Sequence, residues 1–142
     1  MKTNLQQSMF EAIEKELQLQ VARLDQPRTK LFHEMLTYHM GWTGEGAGAF
    51  AAGKRIRPLL TLLTVASINE ESEKDKGGSV NNWLRATPSA AAIELIHNFS
   101  LVHDDIQDNS DTRRGRRTVW VKWGAPLAIN VGDDALDAAE TG

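Results

Sequence analysis

Residues 87–108 read TPSAAAIELIHNFSLVHDDIQD. Thr87 suits an N-cap, and Pro88 suits the first helical position, where its missing N–H forfeits no bond. From Pro88 to Asp108 nothing breaks a helix, so the stretch predicts one long helix. The same signal extends in both directions, and strand signals are weak throughout. Leu5, Met9, Ile13, Leu17, Val21 and Leu24 recur mostly every fourth residue among Glu, Gln and Lys. That spacing predicts an amphipathic helix closed near Asp25-Gln26-Pro27. Arg28 to Met40 reads as a second helix. Pro58 suits a third helix start, and Leu59, Leu60, Leu62, Leu63, Val65, Ala66 and Ile68 follow it. They are apolar on nearly all sides, which predicts a helix in the middle of a bundle.

Between these helices lie three expected loops. Residues 41–53 carry five glycines. Residues 69–87 contain the polar tract NEESEKDKGGSVNN. Residues 109–118 hold a turn around Gly115. A last helix is expected near Gly124-Ala125-Pro126. The fold class is all-α, a single domain over 1–142 of helices stacked antiparallel through short and medium loops.

Composition narrows the function. The 142 residues carry 16 Lys+Arg against 19 Asp+Glu, a net charge of −3. That balance argues against general nucleic-acid binding, which shows a basic face. The absence of cysteine excludes disulfides and thiolate metal sites. No apolar run approaches the roughly 20 residues that cross a bilayer, and the N-terminus lacks the apolar core of a secretory signal. A soluble, cytoplasmic protein without a transmembrane segment is expected.

The densest charges lie side by side. Asp104, Asp105, Asp108 and Asp111 are followed by Arg113, Arg114, Arg116 and Arg117. On a helix, Asp104 and Asp108 share one face a turn apart, and Asp105 is turned about a quarter circle aside. His97 lies two turns before Asp104, within about 20° of the same line and about 10 Å away. Bare anions are unfavourable at a helix C-terminus, and like charges four residues apart repel. A divalent cation relieves both effects. Hard oxygen ligands without sulfur or a histidine pair favour Mg²⁺ or Mn²⁺. Mg²⁺ takes one or two carboxylates and completes its shell with water and phosphate oxygens. The arginines match phosphate oxygens, which an Arg fork binds in bidentate fashion.

Each signal has a plainer alternative. The acids also fit a solvated helix end paired with neighbouring arginines, and His97 fits a core or surface histidine. The glycine and final Glu of an EF-hand loop are missing. Gly53-Lys54-Arg55-Ile56-Arg57-Pro58 puts three cations on a turn entering a helix, where N–H groups attract anions. Alone, it reads equally as a solvated basic turn. It lacks the spacing of a P-loop.

Together, GKRIRP (53–58), ELIHNFSLVHDDIQD (94–108) and TRRG (112–115) resemble the trans-polyprenyl diphosphate synthases. The resemblance runs from about Gly53 to Asp133. It implies an antiparallel bundle of the isoprenoid synthase type around a deep cavity. It also implies condensation of an allylic diphosphate with isopentenyl diphosphate, assisted by Mg²⁺. By motif position, Asp104 and Asp108 would ligate the metal and Asp105 would support them as a third catalytic acid. Arg113 would contact the allylic diphosphate. Lys54, Arg57, His97 and Arg114 would clamp isopentenyl diphosphate. Arg55, Arg116 and Arg117 receive no role. Phe99, five residues before the Asp motif, is similar to some geranylgeranyl diphosphate synthases and implies a C20 product; a core aromatic is the alternative.

The second Asp-rich motif of that family is absent. The acids after Arg117 are Asp133, Asp134, Asp137 and Glu140, and none forms DDxxD. Gly132-Asp133 runs into the polar DALDAAETG. The expectation is a truncated chain, inactive alone, that exposes faces such as Leu59 to Ile68. It would then homodimerise or associate with a full-length synthase. The competing function is a non-catalytic diphosphate-binding or partner subunit.

Overall fold

A computed structural model describes residues 2–73 and 82–130, with side chains over 5–68 and 82–130. Helix α1 (Lys2–Ala22) is followed by α2 (Lys30–His39), the single turn α3 (Ala49–Ala52) and α4 (Ile56–Glu73). After a 3₁₀ turn at Asn82–Ala86 come α5 (Thr87–Gln107), strands β1 (Thr112–Arg113) and β2 (Arg116–Arg117), and α6 (Val119–Trp123). Gly124 interrupts α6 at φ +91° before helical backbone resumes over 125–130. Among the described residues the fold is all-α apart from the two-residue strands. The acids Asp133, Asp134, Asp137 and Glu140, and the polar tract at 74–81, lie outside the described residues.

The core sits where α1, α4 and α5 pack on one another. Of the stripe read from the sequence, Met9, Ile13, Leu17 and Val21 are buried and meet Leu62, Ala90, Ala91, Leu95 and Val102, Leu24 is partly buried, and Leu5 at the N-terminal end is exposed. Full burial of such a side chain contributes about 1.5–3 kcal/mol. α2 adds Met35, Leu36 and Tyr38 to the same cluster.

Several boundaries differ from the sequence reading. The tract expected as loop 69–87 begins inside α4, which continues to Glu73, and ends in the 3₁₀ turn. The loop 41–53 contains α3. Thr87 is the first residue of α5 rather than its cap, and its buried hydroxyl makes no capping bond. α4 is not a mid-bundle helix among the described residues: Leu60 and Ile68 are 58% and 60% exposed. α4 packs on α1, α5 and the 3₁₀ turn and leaves Leu60 and Ile68 largely exposed.

The segment 109–118, expected as loop, folds into a hairpin. Asn109, left-handed at φ +50°, ends α5, and its N–H donates to Ile106 O. Thr112 pairs with Arg117 and Arg113 with Arg116. Arg114 (φ +52°) and Gly115 (φ +74°) form the turn, with the two positive φ values that a tight hairpin favours. Arg116 then staples this hairpin to the glycine loop. It donates to Tyr38 O (2.7 Å), Glu45 O (2.8 Å) and Thr43 O, and lies 3.9 Å over the Tyr38 ring. Tyr38 Oη donates to Arg117 O (2.8 Å).

Candidate active site

The turn Gly53–Arg55 leads into α4 and faces the middle of α5. Between them opens a cleft of about 510 Å³, lined on its polar side by Lys54, Arg57, Glu94, His97 and Arg114 and on its apolar side by Phe50 and Ile56. These four expected anion binders, Lys54, Arg57, His97 and Arg114, thus come from three separate segments. Arg57 Nη1 donates to His97 Nε2 at 3.0 Å. Arginine is always protonated, so Nε2 is the acceptor and the imidazole proton sits on Nδ1. Burial first, then the Arg57 charge, lowers the His97 pKa. Arg114 is held by Ala51 O (3.1 Å) and lies against Gly53, where a Cβ would fall 2.8 Å from its guanidinium carbon. Its pKa is lowered by burial first, then by the like charges of Arg55 and Arg113. A partly buried nest of like charges stabilises an anion that enters it.

The acids divide into two kinds. Asp104 and Asp108 are exposed at the end of α5, and neither accepts a hydrogen bond from a described side chain. Asp105 is buried and accepts from Arg113: Nε donates at 2.9 and 3.2 Å, and Nη2 at 2.7 Å. This bond chiefly, with the charges of Asp105, Asp104 and Asp108, raises the Arg113 pKa. Arg113 is therefore not a free phosphate fork. Two of its three nitrogens are committed to Asp105, and Nη1 alone remains. Of the four arginines in RRGRR, only Arg114 lines the cleft. Among the described residues no group of three or more His, Asp or Glu side chains could enclose a metal ion. No helix among them is long and apolar enough to cross a membrane.

Residues 47–139 match the family model "Polyprenyl synthetase". The chain belongs to the polyprenyl synthetase family. It is 43% identical over 101 residues to the geranylgeranyl diphosphate synthase of Mycobacterium tuberculosis, covering 70% of this chain and 26% of that one. It is 49% identical over 84 residues to the short chain isoprenyl diphosphate synthase of Methanocaldococcus jannaschii, covering 59% and 22%. The crystal structure of polyprenyl synthetase from Streptomyces coelicolor A3(2) superposes with a TM-score of 0.73 at 33% identity, covering 98% of this chain and 37% of that one. The chain thus spans about a quarter of the length of the curated relatives it matches.

Sequence reasoning missed the polar residues beneath this cleft. Arg55 is fully buried and bonded to Glu14 and Glu94. Asn98 Nδ2 donates to Glu94 O at 2.8 Å, and Asn98 Oδ1 lies 3.0 Å from His39 Nε2. One signal was available. Glu94, Asn98 and Asp105 fall on the same buried face of α5 as Ala91, Leu95 and Val102, and polar groups on an apolar face need partners.

His39 carries a pH prediction. Burial first, then the Arg113 charge, lowers its pKa to about 3. The folded chain keeps it neutral, whereas the unfolded chain protonates it near 6.5. Its stabilising contribution is therefore complete above pH 6.5 and is lost as pH falls toward 3. Between pH 7 and pH 5 the expected loss is about 2 kcal/mol. Urea unfolding at both pH values should show that difference shrinking in His39→Gln; an unchanged difference would assign the pH dependence to other groups.

Proposed function

We propose that these residues form the diphosphate- and metal-binding part of a prenyltransferase site that condenses an allylic diphosphate with isopentenyl diphosphate. The observation that carries this reading is the convergence of Lys54, Arg57, His97 and Arg114 in one cleft beside a helix ending in two exposed carboxylates. The similar proteins, a short chain isoprenyl diphosphate synthase and a geranylgeranyl diphosphate synthase, support the substrate class.

Lys54, Arg57 and Arg114 bind the oxygens of isopentenyl diphosphate, and neutral His97 orients Arg57 by accepting its Nη1 hydrogen. Arg113, aligned by Asp105, offers Nη1 to the allylic diphosphate. In the reaction the allylic C–O bond breaks with its electron pair passing to pyrophosphate. The homoallylic double bond supplies the electrons of the new C–C bond, and a proton then leaves to pyrophosphate. Preorganised cations stabilise the negative charge that grows on the leaving group. Phe50 and Ile56, both exposed, give the cleft an apolar wall.

Asp104 and Asp108 fit Mg²⁺ or Mn²⁺: both are hard donors, exposed and unpartnered among the described residues. When bound, the ion supplies charge neutralisation for the leaving pyrophosphate. A C20 product is the reading for chain length. It rests on Phe99, which is half-buried and packed with its ring centroid 4.4 Å from that of His103, the two rings tilted by 58°.

The second reading is a non-catalytic diphosphate-binding subunit that homodimerises or joins a full-length synthase. The exposed Ile56, Leu60, Ile93 and Ile96 favour it. One experiment separates the two: the purified chain with an allylic diphosphate, isopentenyl diphosphate and Mg²⁺. Turnover abolished by Asp104→Ala establishes the enzyme, with product length read directly. Mg²⁺-dependent pyrophosphate binding without turnover establishes the subunit. If pyrophosphate fails to bind at all, both readings fall.

A further inference from the structure

Arg55 lines the same cleft between two exposed cations, Lys54 and Arg57, yet its side chain turns into the core. Its side chain is fully buried. Nε donates to Glu14 Oε1 on α1 at 2.6 Å, Nη1 to Glu94 Oε1 on α5 at 3.3 Å, and Nη2 to Met40 O after α2 at 3.3 Å. Its backbone is left-handed at φ +51°, a conformation that a non-glycine residue holds only where its surroundings impose it. Its carbonyl accepts from Leu59 N at 3.2 Å, so it is also the entry point of α4.

One guanidinium therefore ties the basic turn to three helical segments. Glu94 lies one helical turn before His97, so the Arg55–Glu94 bond sets the register between the turn and α5. Arg57 reaches His97 across that same register. Burying a charge has no evident use for stability alone, since apolar replacements of buried ion pairs are often at least as stable. We infer that Arg55, with Glu94, is a positioning residue for the anion clamp. It fixes the left-handed turn so that Lys54 and Arg57 meet His97 and Arg114 around one diphosphate. This rests on the reading of those four residues as a diphosphate site.

The test uses the full chain, with pyrophosphate and Mg²⁺ as the probe. The double variant Arg55→Met/Glu94→Leu keeps volume and removes both charges of the Arg55–Glu94 pair, leaving Glu14 partly exposed and still accepting from Trp42 Nε1; Arg55→Lys keeps the charge but loses the fork, and serves should the first not fold. Both are measured at a temperature where circular dichroism shows the chain folded. Calorimetry is expected to show at least tenfold weaker pyrophosphate binding. In Arg55→Lys, which keeps Glu94, the His97 ring followed by NMR is expected to titrate at higher pH as Arg57 withdraws. A merely structural Arg55 would lower the melting temperature and leave both readouts at wild-type values, which overturns the inference. If Lys54→Ala weakens binding while folded Arg55 variants bind as wild type, the inference falls and the site reading stands. If the wild-type chain binds no pyrophosphate, the site reading falls and the inference with it.

Discussion

Alanine at both Asp104 and Asp108 is expected to lower the affinity for magnesium pyrophosphate at least a hundredfold, while the unligated chain stays as stable as before. Both carboxylates are exposed, and neither accepts a bond from a described side chain. They stand four residues apart at the negative end of α5, an arrangement that repels itself. Removing them therefore changes unligated stability by no more than about 0.5 kcal/mol. A ligand at a hundred times its Kd stabilises the folded state by about 2.7 kcal/mol. That increment should appear in melts of the wild type and vanish in the variant. Asp105→Ala should behave in the opposite way. It leaves Arg113 without its carboxylate and lowers stability without ligand by about 2 kcal/mol, a figure already reduced because Arg113 is 30% exposed. Wild-type pyrophosphate affinity in the Asp104/Asp108 variant would remove the metal-binding role.

Gly41→Ala is expected to destabilise the chain by about 3 kcal/mol or more. Gly41 has φ +84°, and a Cβ there would lie 2.4 Å from Ala52 N and 2.5 Å from Ala51 C. These are backbone atoms of α3 and cannot rotate aside. Gly115 supplies the control: φ is +74° but nothing lies within 4 Å of its Cβ position. Gly115→Ala should lose only the conformational strain, about 1–2 kcal/mol. Equal losses in urea titrations of the two variants would refute the close-approach argument. Gly41→Ala should also weaken pyrophosphate binding, because Ala51 O holds Arg114.

Much of this was legible beforehand, for identifiable reasons. The buried stripe Met9–Ile13–Leu17–Val21 follows from spacing, because a helix fixes which residues share a face. The pairing of Asp104 with Asp108 follows likewise. The hairpin at 112–117 was not legible. Its strands are two residues each and carry no alternation, and its turn places Arg114 rather than Asn or Gly at a positive φ. The exposed side of α4 was misread because apolar residues all round a helix predict neighbours on every side. Among the described residues the neighbours leave Leu60 and Ile68 largely exposed.

By itself, the sequence determined the helices, their buried faces, the family motifs and the i,i+4 acids, all of which depend on local geometry and residue chemistry. Only the tertiary structure decided how the charges are used. RRGRR and GKRIRP are rows of similar cations on paper. Folding sends Arg114, Arg57 and Lys54 into one cleft, Arg113 onto Asp105, Arg116 onto the glycine loop, and Arg55 into a buried pair with Glu94. The physical reason is that a long guanidinium side chain takes its role from whichever carboxylate or carbonyl lies within reach. Those partners come from segments up to 78 residues away in the chain.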